Sequence, residues 1–404
     1  MKKSTKIILA ILIIIMIVIC TMYVIDLNRM KNNKPVIFST WGRKYVPPAK
    51  VNTKLSVVTS LEDEITSNTA WCGTFNLIWN DLKKDLAKKD IIFTPQPTAV
   101  DNLNKGTFNT SYLSEDSYYK VYGTPTPELK KQIEKAIKEK FNETSSILDD
   151  FNWENGQDGD HFLYVMLKKQ FEFQKVFTKL ENGDFGKYKN VKYFGINSST
   201  DKAVRDQVKV LYYNSSSDFA VKLKTKQNDE VIISRGNTEN NFGDIFKGIT
   251  EKSSKYDGSK SFNKTDKLKI PKISFNLKQE ITEVENKFFT YSNGEEHYIE
   301  TALQTIEFEL DEKGGRIKSE AGIMDKLNSV TRYLERASIW WSAIKILPAH
   351  LQSLSDKLNS AMPEEPRNFF VDDTFTIFLK EEGRDLPYFA AQISDISQVQ
   401  EDVK

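Results

Sequence analysis

Apolar residues recur along this chain with two different periods, and the change of period divides it into regions. Between Ser67 and Ala87 they fall at Trp71, Phe75, Ile78, Trp79, Leu82 and Leu86, mostly in steps of three and four. That spacing predicts a helix, with Asn68 or Thr69 as its N-cap. Pro127 to Leu148 predicts a second helix, opened by Thr126-Pro127, with Ile133, Ile137 and Phe141 on one face. Further on, short apolar runs and period-two alternation take over. His161 to Leu167 and Val208 to Tyr213 read as strands, and Phe219 to Thr225 with Val231 to Ile233 flank Gln227-Asn228-Asp229, a hairpin signature. Ile270 to Leu277, Ile306 to Leu310 and Phe375 to Leu379 are further strands. Helices crowd the first third and strands fill most of the rest, which predicts an α+β fold with a large, mostly antiparallel sheet.

The N-terminus carries a different signal. Residues 1–6 hold three lysines, and Ile7 to Ile25 is almost wholly apolar. Nineteen residues at 1.5 Å each span about 28 Å, close to the hydrocarbon thickness of a bilayer. A cleaved signal peptide or a lipoprotein signal would need small residues near its end, whereas Thr21, Met22, Tyr23 and Val24 are bulky and Cys20 follows Ile19. Residues 7–25 are therefore expected to be a retained single-pass anchor behind a cytoplasmic tail, residues 1–6. Lysines and arginines flank both sides (Lys2, Lys3 and Lys6; Arg29, Lys31 and Lys34) and give little orientation bias. A short tail before one span and a large body after it favours the body outside the cell. Residues 26–54, with a short apolar run at Val36 to Phe38 and the prolines Pro47 and Pro48, are expected to form a juxtamembrane tether.

Composition narrows the function classes. The 404 residues carry 57 Lys plus Arg against 56 Asp plus Glu, a formal net charge of +1, and only nine of the cations are arginine. Neither figure suits nucleic-acid binding, which is not expected. Two cysteines, Cys20 and Cys72, exclude a disulfide scaffold, and three histidines, His161, His297 and His350, show no paired spacing. No metal and no cofactor are expected. The loop Gln157 to Asp160 places Asp158 and Asp160 around Gly159 but lacks the downstream acid of a calcium loop. No nucleophile, base and orienting group can be assembled, so the chain reads as a non-enzyme.

The most informative stretch is Thr305 to Gly322, TIEFELDEKGGRIKSEAG. Ile306, Phe308 and Leu310 alternate into Asp311-Glu312-Lys313-Gly314-Gly315. A second alternation then puts Gly315, Ile317, Ser319 and Ala321 on one face and Arg316, Lys318 and Glu320 on the other. The first set could be buried in a sheet, with the three charged residues facing outward. The plainer alternative is a hairpin turn at Gly314-Gly315 with the following residues outside the sheet.

At this stretch the chain resembles the serpins, whose hinge runs from a strand through an acidic pair and a glycine into small residues. Other segments follow in family order: Asn68 to Leu86 with Ile91 to Pro95, Gln132 to Leu148, His161 to Phe177 with Phe171, Phe173 and Phe177, Ile270 to Phe275, Phe370 to Phe378, and Pro387 to Ala390. The resemblance covers roughly Leu55 to Ile396, and order along the chain carries more of it than any single motif. It implies a serpin-like body over residues 55–404, with three sheets and Glu312, Gly314, Gly315, Ile317, Ser319 and Ala321 as hinge. It also implies inhibition of a serine-type protease by insertion of a reactive loop.

Two departures set against inhibition. The hinge is not alanine-rich, and 58 positions separate Glu312 from Phe370, more than the family usually has. The extra residues step regularly through Ile323, Leu327, Val330, Leu334, Ala337, Trp341 and Ile344. After Pro348 they resume at Leu351, Leu354, Leu358 and Ala361, which predicts two amphipathic helices over residues 323–362. Trp340 and Trp341 suit a partner groove or a membrane surface. Two functions follow: a tethered extracellular protease inhibitor, or a non-inhibitory cell-surface module that contacts a partner protein through the helical insertion.

Overall fold

The computed structural model describes Thr21, Ile25, residues 55–154, 156–328 and 366–400, and Val403. Its first strands are β1 (Leu55–Val58), β2 (Asn68–Cys72), β3 (Tyr118–Gly123), β4 (His161–Glu172), β5 (Thr178–Lys179), β6 (Gly183–Phe185), β7 (Tyr188–Val191) and β8 (Tyr193–Ile196). Next come β9 (Val208–Ser215), β10 (Asp218–Lys224), β11 (Asp229–Arg235), β12 (Lys267–Pro271), β13 (Ile273–Glu280) and β14 (Phe288–Thr290). The last are β15 (Glu296–Leu310), β16 (Gly314–Leu327), β17 (Asn368–Phe370), β18 (Phe375–Glu381) and β19 (Phe389–Ile393).

These strands make an α+β fold of several sheets and few helices. One sheet runs β1-β2-β19-β18-β11-β10-β9, a second β17-β12-β8-β5, and a third β13-β15-β16-β4-β3 with β14 beside β15. The hairpin expected at Gln227 to Asp229 is present, with Lys224 opposite Glu230. The third sheet is packed on both faces. On one, Leu163, Val165, Ile306, Phe308, Ile317 and Ala321 join the main core beside the helix Thr74–Asp81. On the other, Tyr164, Met166, Leu303 and Met324 pack under Ile133 and Ile137 of the helix Pro127–Phe141 and under Ile147, Phe151 and Trp153. Thr126 caps that helix as expected, its side chain accepting from the Leu129 N–H at 3.2 Å.

Several expectations need correction. The helix expected over Ser67 to Ala87 begins only at Thr74, because Asn68–Cys72 is fully buried as strand β2, paired parallel to β1 and antiparallel to β19. The helix then widens into a π-helical turn over Leu82–Ala87. Ile270 to Leu277 is two strands in two sheets, divided at Lys272, whose N–H donates to the Lys192 carbonyl. The helical insertion cannot start at Ile323: Ile323 and Leu327 lie in β16, since positions four apart satisfy a two-residue period as well as a helical one. Residues 329–362 of that insertion, with Trp340 and Trp341, lie outside the described residues. So do the tether and nearly all of the expected anchor, and no described helix is long and apolar enough to cross a membrane.

Candidate functional site

The hinge sequence builds a hairpin. β15 and β16 are joined by only Asp311-Glu312-Lys313, and the turn is closed by Asp311 N–H to Gly314 O at 2.9 Å and by Lys313 N–H to the Asp311 carboxylate at 2.8 Å. Glycine is required at Gly314: a Cβ there would sit 2.0 Å from the Phe171 carbonyl oxygen. Glu312 is buried beside Lys272 and Lys179. Burial alone would push its carboxyl up, but the hydrogen bond from Lys272 and its charge hold it below the usual glutamate range.

From this turn β16 runs the length of the sheet, fully paired on both sides. Gly315 to Leu327 lies opposite Leu310 to His297 of β15, and Gly314 to Asp325 lies opposite Glu172 to His161 of β4. Of the expected small face, Ile317, Ser319 and Ala321 are buried in the main core. The Ser319 hydroxyl donates to Thr305 O at 2.6 Å and meets Thr74 Oγ1 at 2.8 Å. Neighbouring Cys72 is buried in the same layer, which pushes its thiol up to about 11.

The expectation for the opposite face holds at Arg316, whose side chain is 38% exposed, and is overturned at the other two charged positions. Lys318 and Glu320 do not face water, because the helix Pro127–Phe141 and the segment after it cover them; Glu320 is 0% exposed and Lys318 6%. The Glu320 carboxylate accepts from Ser145 Oγ (2.5 Å), Ser146 N (3.0 Å), Ser146 Oγ (2.7 Å) and Tyr164 Oη (2.6 Å). Burial, then the adjacent Glu320 charge, push the Tyr164 phenol well above its ordinary value. Lys318 Nζ lies 3.3 Å from Glu307, 3.5 Å from Glu320 and 3.9 Å from Glu143, and donates to Thr144 O at 3.2 Å. Both buried charges on this face therefore have specific partners, which is the condition for burying them at all.

The far end of β16 is anchored as well. Asp160, weighed as a calcium ligand from its sequence, accepts from Lys326 Nζ at 3.2 Å and from Leu327 N at 3.1 Å. Asp325 is fully buried, directly opposite His161 on β4, with His297 of β15 paired two residues along from it. Histidines that look scattered in sequence are thus brought together by strand register. Burial would raise the Asp325 carboxyl, but hydrogen bonds from His161, His297 and Tyr291 hold it below the usual range. After the segment that follows, the chain is held again at Arg367, whose guanidinium donates to Asp266 (2.7 Å), Ser259 O (2.7 Å) and Ser261 O (2.8 Å).

No family model matches the chain, and no curated protein does. Among solved structures it is similar to serpins. Cleaved Serpin 42Da is 13% identical with a TM-score of 0.39, covering 66% of this chain and 64% of that one. A loop-inserted, cleaved ovalbumin mutant is 11% identical at 0.40, covering 72% and 78%. The viral serpin CrmA is 10% identical at 0.36, covering 61% and 98%. The chain thus spans just under two thirds of the first of these.

Proposed function

We propose that this chain is a non-inhibitory binding module, tethered to the membrane through residues 7–25 with its body outside the cell, and that it offers the segment between β16 and β17 to a partner protein. One observation supports the reading: β16 is a central strand, paired with β15 on one side and β4 on the other. Inhibition by insertion needs the segment after the hinge to lie outside the sheet until a protease cuts it. Here that segment carries Lys318, Glu320 and Asp325, three charges whose partners lie within the sheet and the layer packed on it. Withdrawing β16 would strand Glu307, Ser145, Tyr164, His161 and His297 without those partners.

Limited proteolysis between residues 329 and 365, followed by thermal melting, tests this. The nicked protein is expected to melt at the same temperature or lower, and incubation with serine proteases is expected to give no SDS-stable adduct. A sharp rise in melting temperature on cleavage, or an adduct, would overturn the proposal.

A further inference from the structure

Three adjacent strands and a turn bring four polar side chains to one buried point. Asp325 of β16 has an oxygen 3.2 Å from His161 Nδ1 of β4 and 3.0 Å from His297 Nδ1 of β15, and Tyr291 Oη donates to it at 2.5 Å. The two imidazole nitrogens and the carboxylate oxygen all lie within 4.8 Å of one another. A tetrahedral Zn²⁺ with ligands at about 2.0–2.2 Å needs donor atoms about 3.3 Å apart, so only a small rearrangement separates this cluster from a coordination shell.

With His297 neutral, hydrogen bonding alone leaves the cluster mismatched. If His297 is neutral and donates from Nδ1, its Nε2 is a bare lone pair. That nitrogen is buried with no hydrogen-bond partner and faces another acceptor, Glu295 Oε2, at 3.6 Å. A cation on Nδ1 moves the proton to Nε2, where it points at the Glu295 carboxylate. That is the outer-shell pairing metal-bound histidines ordinarily show. The remaining features suit a site. Tyr291 stacks on His297 with ring centroids 3.6 Å apart at 6°, fixing the imidazole plane, and its hydroxyl orients Asp325. Asp325 and His297 side chains are wholly buried, while that of His161 is 23% exposed and gives access from solvent.

We propose that His161, His297 and Asp325 bind one divalent first-row cation, with Zn²⁺ the best match to two imidazoles and one carboxylate, water taking the fourth position from the His161 side. The ion would tie β4, β15 and β16 together at the end of the sheet farthest from the hinge. This is a structural tie and assigns no reaction to the chain.

The test uses the full chain in detergent, stripped with EDTA and titrated calorimetrically with Zn²⁺ alone. One saturable equivalent per chain is expected, with a melting temperature that climbs with Zn²⁺ concentration and falls back with EDTA. Co²⁺ in its place is expected to give the visible absorption of a tetrahedral site. His161→Gln, at the partly exposed ligand, is expected to weaken binding at least tenfold, whereas His350→Ala is expected to leave it unchanged. If His161→Gln does not fold, ¹⁵N signals of the wild-type imidazoles decide, and both Nδ1 resonances are expected to shift with Zn²⁺. Absence of saturable binding, binding unaffected by His161→Gln, or unmoved Nδ1 signals would overturn the site and leave an imidazole–carboxylate hydrogen-bond cluster.

Discussion

Replacing Glu320 with alanine tests whether β16 is a central strand in the resting protein. The carboxylate is 0% exposed and receives four hydrogen bonds, from Ser145, Ser146 twice and Tyr164. Truncation takes from Tyr164 Oη its charged acceptor and leaves it the Ser145 hydroxyl, at about 1–3 kcal/mol for the weakened buried hydrogen bond. It also takes a counter-charge from Lys318, which keeps Glu307 at 3.3 Å and Glu143 at 3.9 Å. Breaking a buried pair outright costs about 3–5 kcal/mol, and Lys318 retains part of its compensation. The two serines lie nearer solvent and can recover partners in water. We therefore expect a total loss of about 3–5 kcal/mol, a large share of the roughly 5–15 kcal/mol that folds a domain. Urea unfolding followed by tryptophan fluorescence reads the shift in midpoint at constant slope, and Glu320→Gln, which keeps one acceptor, should lose less. Were β16 outside the sheet in the resting protein, Glu320 would be a surface charge and its loss would fall within about 0.5 kcal/mol. A value in that range would refute the reasoning.

Three further outcomes follow. Arg367→Ala should destabilise by about 3–5 kcal/mol, because Asp266 would be left buried without its counter-charge; chemical denaturation reads it directly. Glu381 is pushed up by burial but held below its ordinary value of 4.5 by Lys169 and Ser114. Its depressed folded value means that its contribution is present above about pH 4.5 and is lost as pH falls through that lower value. Melting temperatures measured from pH 6 down to 3 should therefore drop, and the drop should be shallower in Glu381→Gln. Cys72, with its thiol near 11 and no exposure, should resist iodoacetamide at pH 8 in the folded protein and react fully in urea.

Where contacts are local, the chain is readable. Thr126-Pro127 announces a helix start, and Gln227 to Asp229 a hairpin, because the determinants lie within a few residues of each other. Alternation likewise picks out Ile317, Ser319 and Ala321 as one buried face of β16. What cannot be read is what lies across from them. Lys318 and Glu320 look like surface residues until the helix Pro127–Phe141 is seen above them, some 180 positions earlier in the chain. Asn68–Cys72 fits a helical stripe, and its pairing with β1 and with β19, the latter more than 300 residues away, makes it a strand. His161, His297 and Asp325 share no spacing at all, because sheet register rather than sequence distance sets their proximity.

The three-residue connection between β15 and β16 bears on competition between molecules. A strand that must fill the middle of a sheet can in principle be supplied by another copy, which is how strand-exchanged polymers grow. Here the strand that belongs in the gap is held three residues from its neighbour, and a linker that short keeps its effective concentration in the millimolar range. A second chain at micromolar concentration would compete at a disadvantage of about a thousandfold. The short hairpin thus disfavours exchange of this strand between copies of the chain.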